Sequence, residues 1–93
     1  MLFDSKLAEI ERHIAYIRAA CETRRANAHP NLAERLHLIV EALDALIPTV
    51  DAVRQDLALY HAAPAPAFDI WRQIFARFTK LTNLVLFLRT LLN

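Results

Sequence analysis

The absence of glycine is the feature that most limits what this 93-residue chain can fold into. Tight β-hairpins, β-bulges and left-handed turns use glycine most, because it lacks the Cβ that disfavours positive φ. The phosphate-binding loops of Rossmann and P-loop proteins and the nucleophile elbow of serine hydrolases also need glycine. The sequence therefore favours an all-α fold, and it excludes these routes to nucleotide binding and serine hydrolysis.

Apolar residues recur at alternating steps of three and four along three segments, which is the heptad spacing of packed amphipathic helices. We call each such row the apolar stripe of its helix. The stripes predict helices at about residues 4–28, 31–61 and 69–92. They consist of Phe3, Leu7, Ile10, Ile14, Ile17 and Cys21, then Leu32, Leu36, Ile39, Leu43, Leu46, Val50, Val53, Leu57 and Tyr60, then Trp71, Ile74, Phe78, Leu81, Val85, Leu88 and Leu92.

The predicted helix ends follow from capping residues and prolines. Asp4 or Ser5 is the expected N-cap of the first helix. The order Asn31-x-x-Glu34 is similar to a capping box and predicts the start of the second helix. The segment HAAPAPAFD, residues 61–69, predicts an extended and stiff connection to the third helix.

Pro48 lies in the middle of the second predicted helix, where proline costs ~3 kcal/mol or more. The apolar stripe keeps its phase across Pro48, and Pro48 lies on the opposite side of the helix, so we predict one continuous, kinked helix. A break at this position would instead give a four-helix arrangement. The preferred fold is a single domain over residues 1–93, an antiparallel, up-down-up three-helix bundle.

The distribution of charge supports this arrangement. The net charge of the whole chain is +1, but residues 31–62 carry −3 and residues 63–93 carry +3. Two neighbouring antiparallel helices of opposite charge would place Asp51 and Asp56 near Lys80, Arg77 and Arg72. The small total charge argues neither for a nucleic-acid partner nor for an acidic ligand, and we expect no nucleic-acid partner.

Several features predict a cytoplasmic protein. Cys21 is the only cysteine, so no disulfide can form within the chain. The first residues lack the basic and apolar regions of a signal peptide. Thr82, Asn83 and Arg89 interrupt the apolar carboxyl-terminal stretch, so we expect no transmembrane span.

Residues of the types that commonly act in catalysis or bind metals are few in this sequence. His13, His29, His37 and His61 show no zinc-site spacing, and we expect no metal or cofactor. Cys21 lies on an apolar stripe, where a buried, unreactive thiol is expected.

Basic and aromatic residues alternate near the start of the third predicted helix. Trp71 and Phe78 flank Phe75 there, among the basic residues Arg72, Arg77 and Lys80. This pattern occurs in single-strand nucleic-acid binders. Since Trp71 and Phe78 belong to the apolar stripe and the second helix supplies acidic partners, we interpret the aromatic residues as core and the bases as ion-paired.

The order Arg24-x4-His29 resembles the Arg-x4–6-His motif of HEPN ribonucleases, which are small helical dimers. The resemblance implies a ribonuclease in which Arg24 and His29 meet at a dimer interface and act as catalytic residues. The chain contains a second match, Arg54-x6-His61, so the spacing arises readily by chance. Ribonuclease activity is therefore the alternative hypothesis.

The stripes leave a surplus of apolar residues on the outer sides of the second and third helices. A helix that is apolar on all sides is expected to be buried on more than one side. The leading hypothesis is a non-enzymatic protein–protein interaction module that binds a partner or itself, as a homodimer. Its predicted partner-binding residues are Leu38, Ala45, Ala52, Leu59, Phe75, Leu84, Leu86, Phe87 and Leu91.

The surplus apolar residues are also compatible with burial inside the fold or at a membrane. The second helix could bend at Pro48 and cover them, or residues 81–92 could lie on a membrane surface. In size and architecture the chain resembles small bacterial helical proteins that serve as secretion chaperones, antitoxins, immunity proteins or inhibitors.

Overall fold

The protein is a bundle of three helices. The computed structural model describes residues 2–64 and 67–92, which form α1 (Leu2–Arg25), α2 (Pro30–Ala62) and α3 (Phe68–Leu92). Each helix packs against the other two, and the bundle measures 55 × 18 × 16 Å. The predicted all-α, three-helix fold is confirmed.

Contacts between the helices establish their directions. Phe3 near the start of α1 lies 6.4 Å, ring to ring, from Tyr60 near the end of α2. Arg18 near the end of α1 donates a 2.7 Å hydrogen bond to Asp44 in the first half of α2. The two helices are therefore antiparallel. The ring of Phe3 also stacks on Phe78 of α3, so α3 returns in the direction of α1.

The apolar stripes form one continuous core along the rod, as the heptad spacing predicts. Leu32, Tyr60 and Leu92, at the ends of stripes, are half-buried. Trp71 is 39% exposed, so its predicted place in the core is wrong. The buried apolar residues are Phe3, Leu7, Ile10, Ile14, Ile17, Cys21, Leu36, Ile39, Leu43, Leu46, Val50, Val53, Leu57, Ile74, Phe78, Leu81, Val85 and Leu88.

Trp71 lies about two turns before Phe78, which is the level at which Phe3 of α1 stacks on α3. Its ring reaches that of Phe3 at 6.1 Å and is otherwise left exposed by the described part of α1. The heptad spacing places Trp71 correctly on the inner side of α3. It contains no information about how far the neighbouring helix reaches.

Three of the predicted helix ends need correction, namely the start of α2 and both ends of α1. The N-cap of α2 is His29, which makes no side-chain capping bond, and Pro30 is the first helical residue. Proline suits this position because its φ is already helical and its missing N–H would have no partner in the helix. The predicted capping box at Asn31 is therefore wrong. α1 starts at Leu2, before Asp4 and Ser5, and it ends at Arg25.

The described parts of the connections contain no residue with positive φ, so the lack of glycine carries no conformational cost there. Ala63 ends α2 in an extended conformation, and its N–H donates to the carbonyl of Tyr60. The predicted stiff linker continues through residues 65–66, which lie outside the described residues.

Helix α2 is continuous across Pro48. The predicted single helix is thus confirmed, and the alternative four-helix arrangement is wrong. Pro48 is exposed on the side opposite the apolar stripe, where its ring does not disturb the packing.

One of the predicted ion pairs between α2 and α3 is present. Arg77 donates a hydrogen bond to the carboxylate of Asp56, which is buried. Asp51 instead pairs at 3.6 Å with Arg54 on its own helix. Asp51 precedes Asp56 by about one and a third turns, so its side chain leaves a different side of α2. Arg72 pairs at 3.1 Å with Asp69 within α3.

Candidate binding surfaces

Among the exposed large apolar side chains, two groups bring together residues from different helices. We name the first the α2–α3 face and the second the aromatic groove. The α2–α3 face is formed by Leu38, Ala45, Leu84, Phe87 and Leu91. The aromatic groove is lined by Phe3, Lys6, Tyr60, Trp71, Phe75, Phe78, Thr79, Thr82 and Asn83.

The Asp56–Arg77 ion pair shows which side of α2 is turned towards α3. Leu38 and Ala45 precede Asp56 by about five and about three full turns, so both project from the same side of α2 as Asp56. That side is the boundary between α2 and α3. Both residues are exposed there.

The same ion pair orients α3. Leu84 and Leu91 follow Arg77 by about two and about four turns, so they share its side of the helix, and Phe87 lies between them. Because α2 and α3 are antiparallel, Ala45 lies level with the stretch from Leu84 to Leu91. Five of the nine predicted partner-binding residues therefore lie together.

The α2–α3 face accounts for the all-apolar turn of α3. Val85 and Leu88 are buried in the core. Leu84 and Phe87 remain exposed on the face, Phe87 by 59%, because continuous α2 does not fold over them. The alternative in which α2 bends at Pro48 and covers these residues is therefore wrong.

The other four predicted partner-binding residues lie elsewhere. Ala52 is half-buried beside the face, and Leu59 is exposed on α2 near the opposite end of the rod. Phe75 and Leu86 project from the side of α3 turned towards α1: Phe75 lines the aromatic groove, and Leu86 lines a shallow depression with His13. Sequence spacing alone did not separate these two sides of α3.

The aromatic groove has a volume of about 430 Å³ and lies between the starts of α1 and α3. Its floor is the stacked pair Phe3 and Phe78, with ring centroids 5.6 Å apart and planes 8° apart. One wall is a second stacked pair, Trp71 and Phe75, at 5.4 Å and 12°. Tyr60 closes the groove on the side of α2.

The polar groups of the groove lie on the opposite wall and along one end. Among the described residues, Lys6 is the only charged one in the lining, and its ammonium lies 3.9 Å from the carboxylate of Glu9. Thr79 donates its hydroxyl to the carbonyl of Phe75. The groove thus has an apolar body and a positive charge on its rim.

Two of the three basic residues of α3 near the groove have an ionic partner among the described residues. Arg77 pairs with Asp56 of α2, as the interpretation from charge required, whereas Arg72 pairs with Asp69 of its own helix. The aromatic residues between them differ from that interpretation. Trp71 and Phe75 are exposed in the groove, and the alternation of bases and aromatic residues was the sequence feature that indicated them.

The structure gives Arg24 and His29 separate environments. The guanidinium of Arg24 donates a hydrogen bond to the carbonyl oxygen of Leu92, at the carboxyl end of α3. His29 is exposed at the N-cap of α2. No hydrogen bond between the two side chains is found in the described part of the chain.

The remaining histidines are involved in surface contacts. His13 lies 2.9 Å from a guanidinium nitrogen of Arg89, which also stacks over the ring of Tyr16. His37 lies 3.1 Å from Glu41. Within residues 2–64 and 67–92, no three residues of metal-ligating type come together.

Cys21 is completely buried, with 0% exposure. Burial raises the pKa of its thiol above the ordinary value, and this effect outweighs the lowering by the nearby cations of Arg24 and Arg18. A nucleophilic cysteine needs the opposite combination, exposure with a lowered pKa. The thiol therefore behaves as a small apolar core group.

No helix in the described ranges combines the length and the apolar character that crossing a membrane requires. Comparisons with protein-family models, with curated proteins and with solved structures give no match for this chain. The geometry therefore defines the class of the protein as a three-helix bundle with exposed apolar surfaces on two sides of α3.

Proposed function

We propose that this protein is a non-enzymatic protein–protein interaction module that binds through the α2–α3 face. One observation carries the proposal: exposed apolar residues of two helices lie side by side, with no charged residue among the five that form the face. Contiguous apolar surface of this kind marks interaction sites in soluble proteins.

The partner that best fits the α2–α3 face is a second copy of the chain. A symmetric dimer brings the same patch together twice, so the patch has to be complementary to itself. A face built from Leu38, Ala45, Leu84, Phe87 and Leu91 is compatible with this requirement because all five side chains are apolar.

The expected affinity is modest. The exposed halves of the four large side chains contribute roughly 3–6 kcal/mol per chain, and two chains contribute roughly 6–12 kcal/mol. Association itself costs an estimated 4–15 kcal/mol. We therefore expect a dimer with a dissociation constant in the micromolar range or weaker, rather than an obligate dimer.

Light scattering after size exclusion, from about 10 μM to about 1 mM, tests this proposal. The wild type should shift from monomer towards dimer over this range. Leu84→Glu and Phe87→Glu should keep the chain monomeric, because each buries a carboxylate in the apolar interface. Leu59→Glu is the matched control, since Leu59 is 60% exposed on α2 but lies outside the face.

Two outcomes of this experiment would argue against self-association through the α2–α3 face. A wild type that stays monomeric throughout, or variants of the face that dimerise as well as Leu59→Glu, would contradict it. Co-sedimentation with anionic liposomes, abolished by Phe87→Glu, would instead support the membrane-surface alternative for residues 81–92.

The ribonuclease alternative has its own test. Purified wild type and the variants Arg24→Ala and His29→Ala would be incubated with a single-stranded RNA. Cleavage by the wild type that both variants lose, with unchanged circular dichroism, would establish that activity. Absence of cleavage by the wild type would remove the hypothesis. Arg24→Ala also removes the hydrogen bond to Leu92, so its folding has to be checked separately.

A further inference from the structure

The aromatic groove lies outside the α2–α3 face and has different chemistry. Its volume of about 430 Å³ falls within the range of small-molecule sites, which are mostly apolar and carry a few polar groups that orient the ligand. It arises where α3 runs past the start of α1. Two stacked aromatic pairs, Phe3 with Phe78 and Trp71 with Phe75, hold its floor and wall in place.

The charge of the lining indicates which ligands fit. Lys6 on the rim is the one charged residue that the described part of the chain contributes to the lining. Glu9 neutralises it only weakly, since both side chains are more than half exposed and 3.9 Å apart. A neutral ligand would use the apolar walls alone. A ligand with an anionic end would use the walls and the ammonium group together.

We propose that the aromatic groove binds a small amphipathic anion, with its aromatic or aliphatic body between Trp71, Phe75 and Phe78 and its carboxylate, sulfonate or similar head group at Lys6. This inference is independent of the proposed function, because the groove and the α2–α3 face share no residue. Stacking on the exposed ring of Phe75 and edge contacts with Tyr60 supply the apolar part of the affinity.

Trp71 makes the proposal directly measurable. It is the only tryptophan of the chain, so intrinsic fluorescence reports on the groove alone. The probe is 1-anilinonaphthalene-8-sulfonate, and its matched partner is N-phenyl-1-naphthylamine, which has the same aromatic body without the sulfonate. The sulfonate probe should quench Trp71 with one site per chain, and sodium laurate should displace it.

Three variants test which residues bind the head group and which bind the apolar body of the ligand. Lys6→Gln should weaken binding of the sulfonate probe by about 2- to 5-fold and leave the neutral probe unchanged, as expected for an exposed charge pair. Glu9→Gln should strengthen binding of the sulfonate probe, because it removes the competing carboxylate. Phe75→Ser should weaken both probes; Phe75 is 55% exposed, so little folding stability is lost.

Phe87→Ser is the control for probe bound at the α2–α3 face, and it should leave the quenching of Trp71 unchanged. Equal affinities of the two probes in wild type and Lys6→Gln would overturn the assignment of an anionic head group. Binding that is insensitive to Phe75→Ser, or one probe per two chains together with a doubled mass, would overturn the groove as a ligand site. Circular dichroism of each variant identifies any that fails to fold, and fluorescence of the bound probe provides a second readout.

Discussion

Asp56 is the one polar or charged residue that is buried within the described ranges. Its carboxylate accepts a hydrogen bond from Arg77, whose side chain is only partly exposed, so the pair is shielded from water on the side of the core. A buried charge is tolerated only when it is paired. The pair also sets the register of α2 against α3, which in turn assembles the α2–α3 face.

Removing Arg77 should therefore be costly. We expect Arg77→Gln to lower the free energy of unfolding by about 1.5–3 kcal/mol, because a buried carboxylate loses its charged partner. The same substitution at Arg72, whose partner Asp69 is almost fully exposed, should change stability by less than about 0.5 kcal/mol. Urea denaturation followed by circular dichroism measures both, and equal effects of the two substitutions would contradict the role given to Asp56.

Cys21 gives a prediction about pH. Burial raises the pKa of its thiol in the folded chain, so the unfolded chain, whose thiol has a pKa near 8.5, loses this proton first. The contribution of Cys21 to stability is thus complete below about pH 8.5 and declines as the pH rises towards the folded pKa, by at most about 1.4 kcal/mol per pH unit. Between about pH 8 and pH 10, wild type should lose stability more steeply than Cys21→Val; parallel curves would contradict the raised pKa.

Among the helical residues, Pro48 is the least suited to its position in the interior of a helix. The helix interior lacks one hydrogen bond there, yet α2 runs through it without a break. Packing of the stripe residues on both sides, including Leu46 and Val50, offsets the loss. Proline at the first position of α2, Pro30, carries no such penalty.

We therefore expect Pro48→Ala to raise the free energy of unfolding by about 1–3 kcal/mol, since alanine restores the missing N–H donor and relieves the clash one turn back. Pro30→Ala, the matched control, should leave stability unchanged or slightly lower. Thermal unfolding of the two variants provides the comparison. A Pro48→Ala variant less stable than wild type would mean that the core has adapted to a bend at this position.

The helices also show which parts of the structure could be predicted from the sequence. Heptad spacing identified the three helices and the continuous α2, because burial on one side of a helix leaves a periodic pattern in the residues themselves. It failed at Trp71, whose exposure depends on where α1 begins beside it. It also failed to separate Leu84 from Leu86, which needed the register fixed by Asp56 and Arg77. The register of one helix against another, and the extent of the helix beside it, leave no periodic pattern in the sequence of either helix.

For the molecule as a whole, the two surfaces are separated around α3 rather than along it, since the groove lining extends to Asn83 and the face begins at Leu84. The aromatic groove lies where α1 and α3 begin, and the α2–α3 face covers the part of α3 from Leu84 to Leu91. The surfaces use opposite sides of α3. Buried residues between them, such as Leu81 and Val85, belong to a core that is continuous along the rod.

This arrangement predicts that the two surfaces bind independently. Substitutions at sites without shared partners and well separated in space usually add within about 0.5 kcal/mol. Four proteins test this: wild type, Lys6→Gln, Phe87→Glu and the double variant. Phe87→Glu should abolish dimerisation without changing the quenching of Trp71 by the sulfonate probe. Lys6→Gln should weaken binding of the sulfonate probe without changing dimerisation.

The double variant should show both losses with no further effect, which corresponds to a coupling free energy below about 0.5 kcal/mol. A larger coupling, seen as probe affinity that rises or falls with protein concentration in wild type but not in Phe87→Glu, would contradict independence. It would mean that dimerisation reshapes the groove through the shared helix α3, and linkage would then require the ligand to change the dimer dissociation constant by a matching amount.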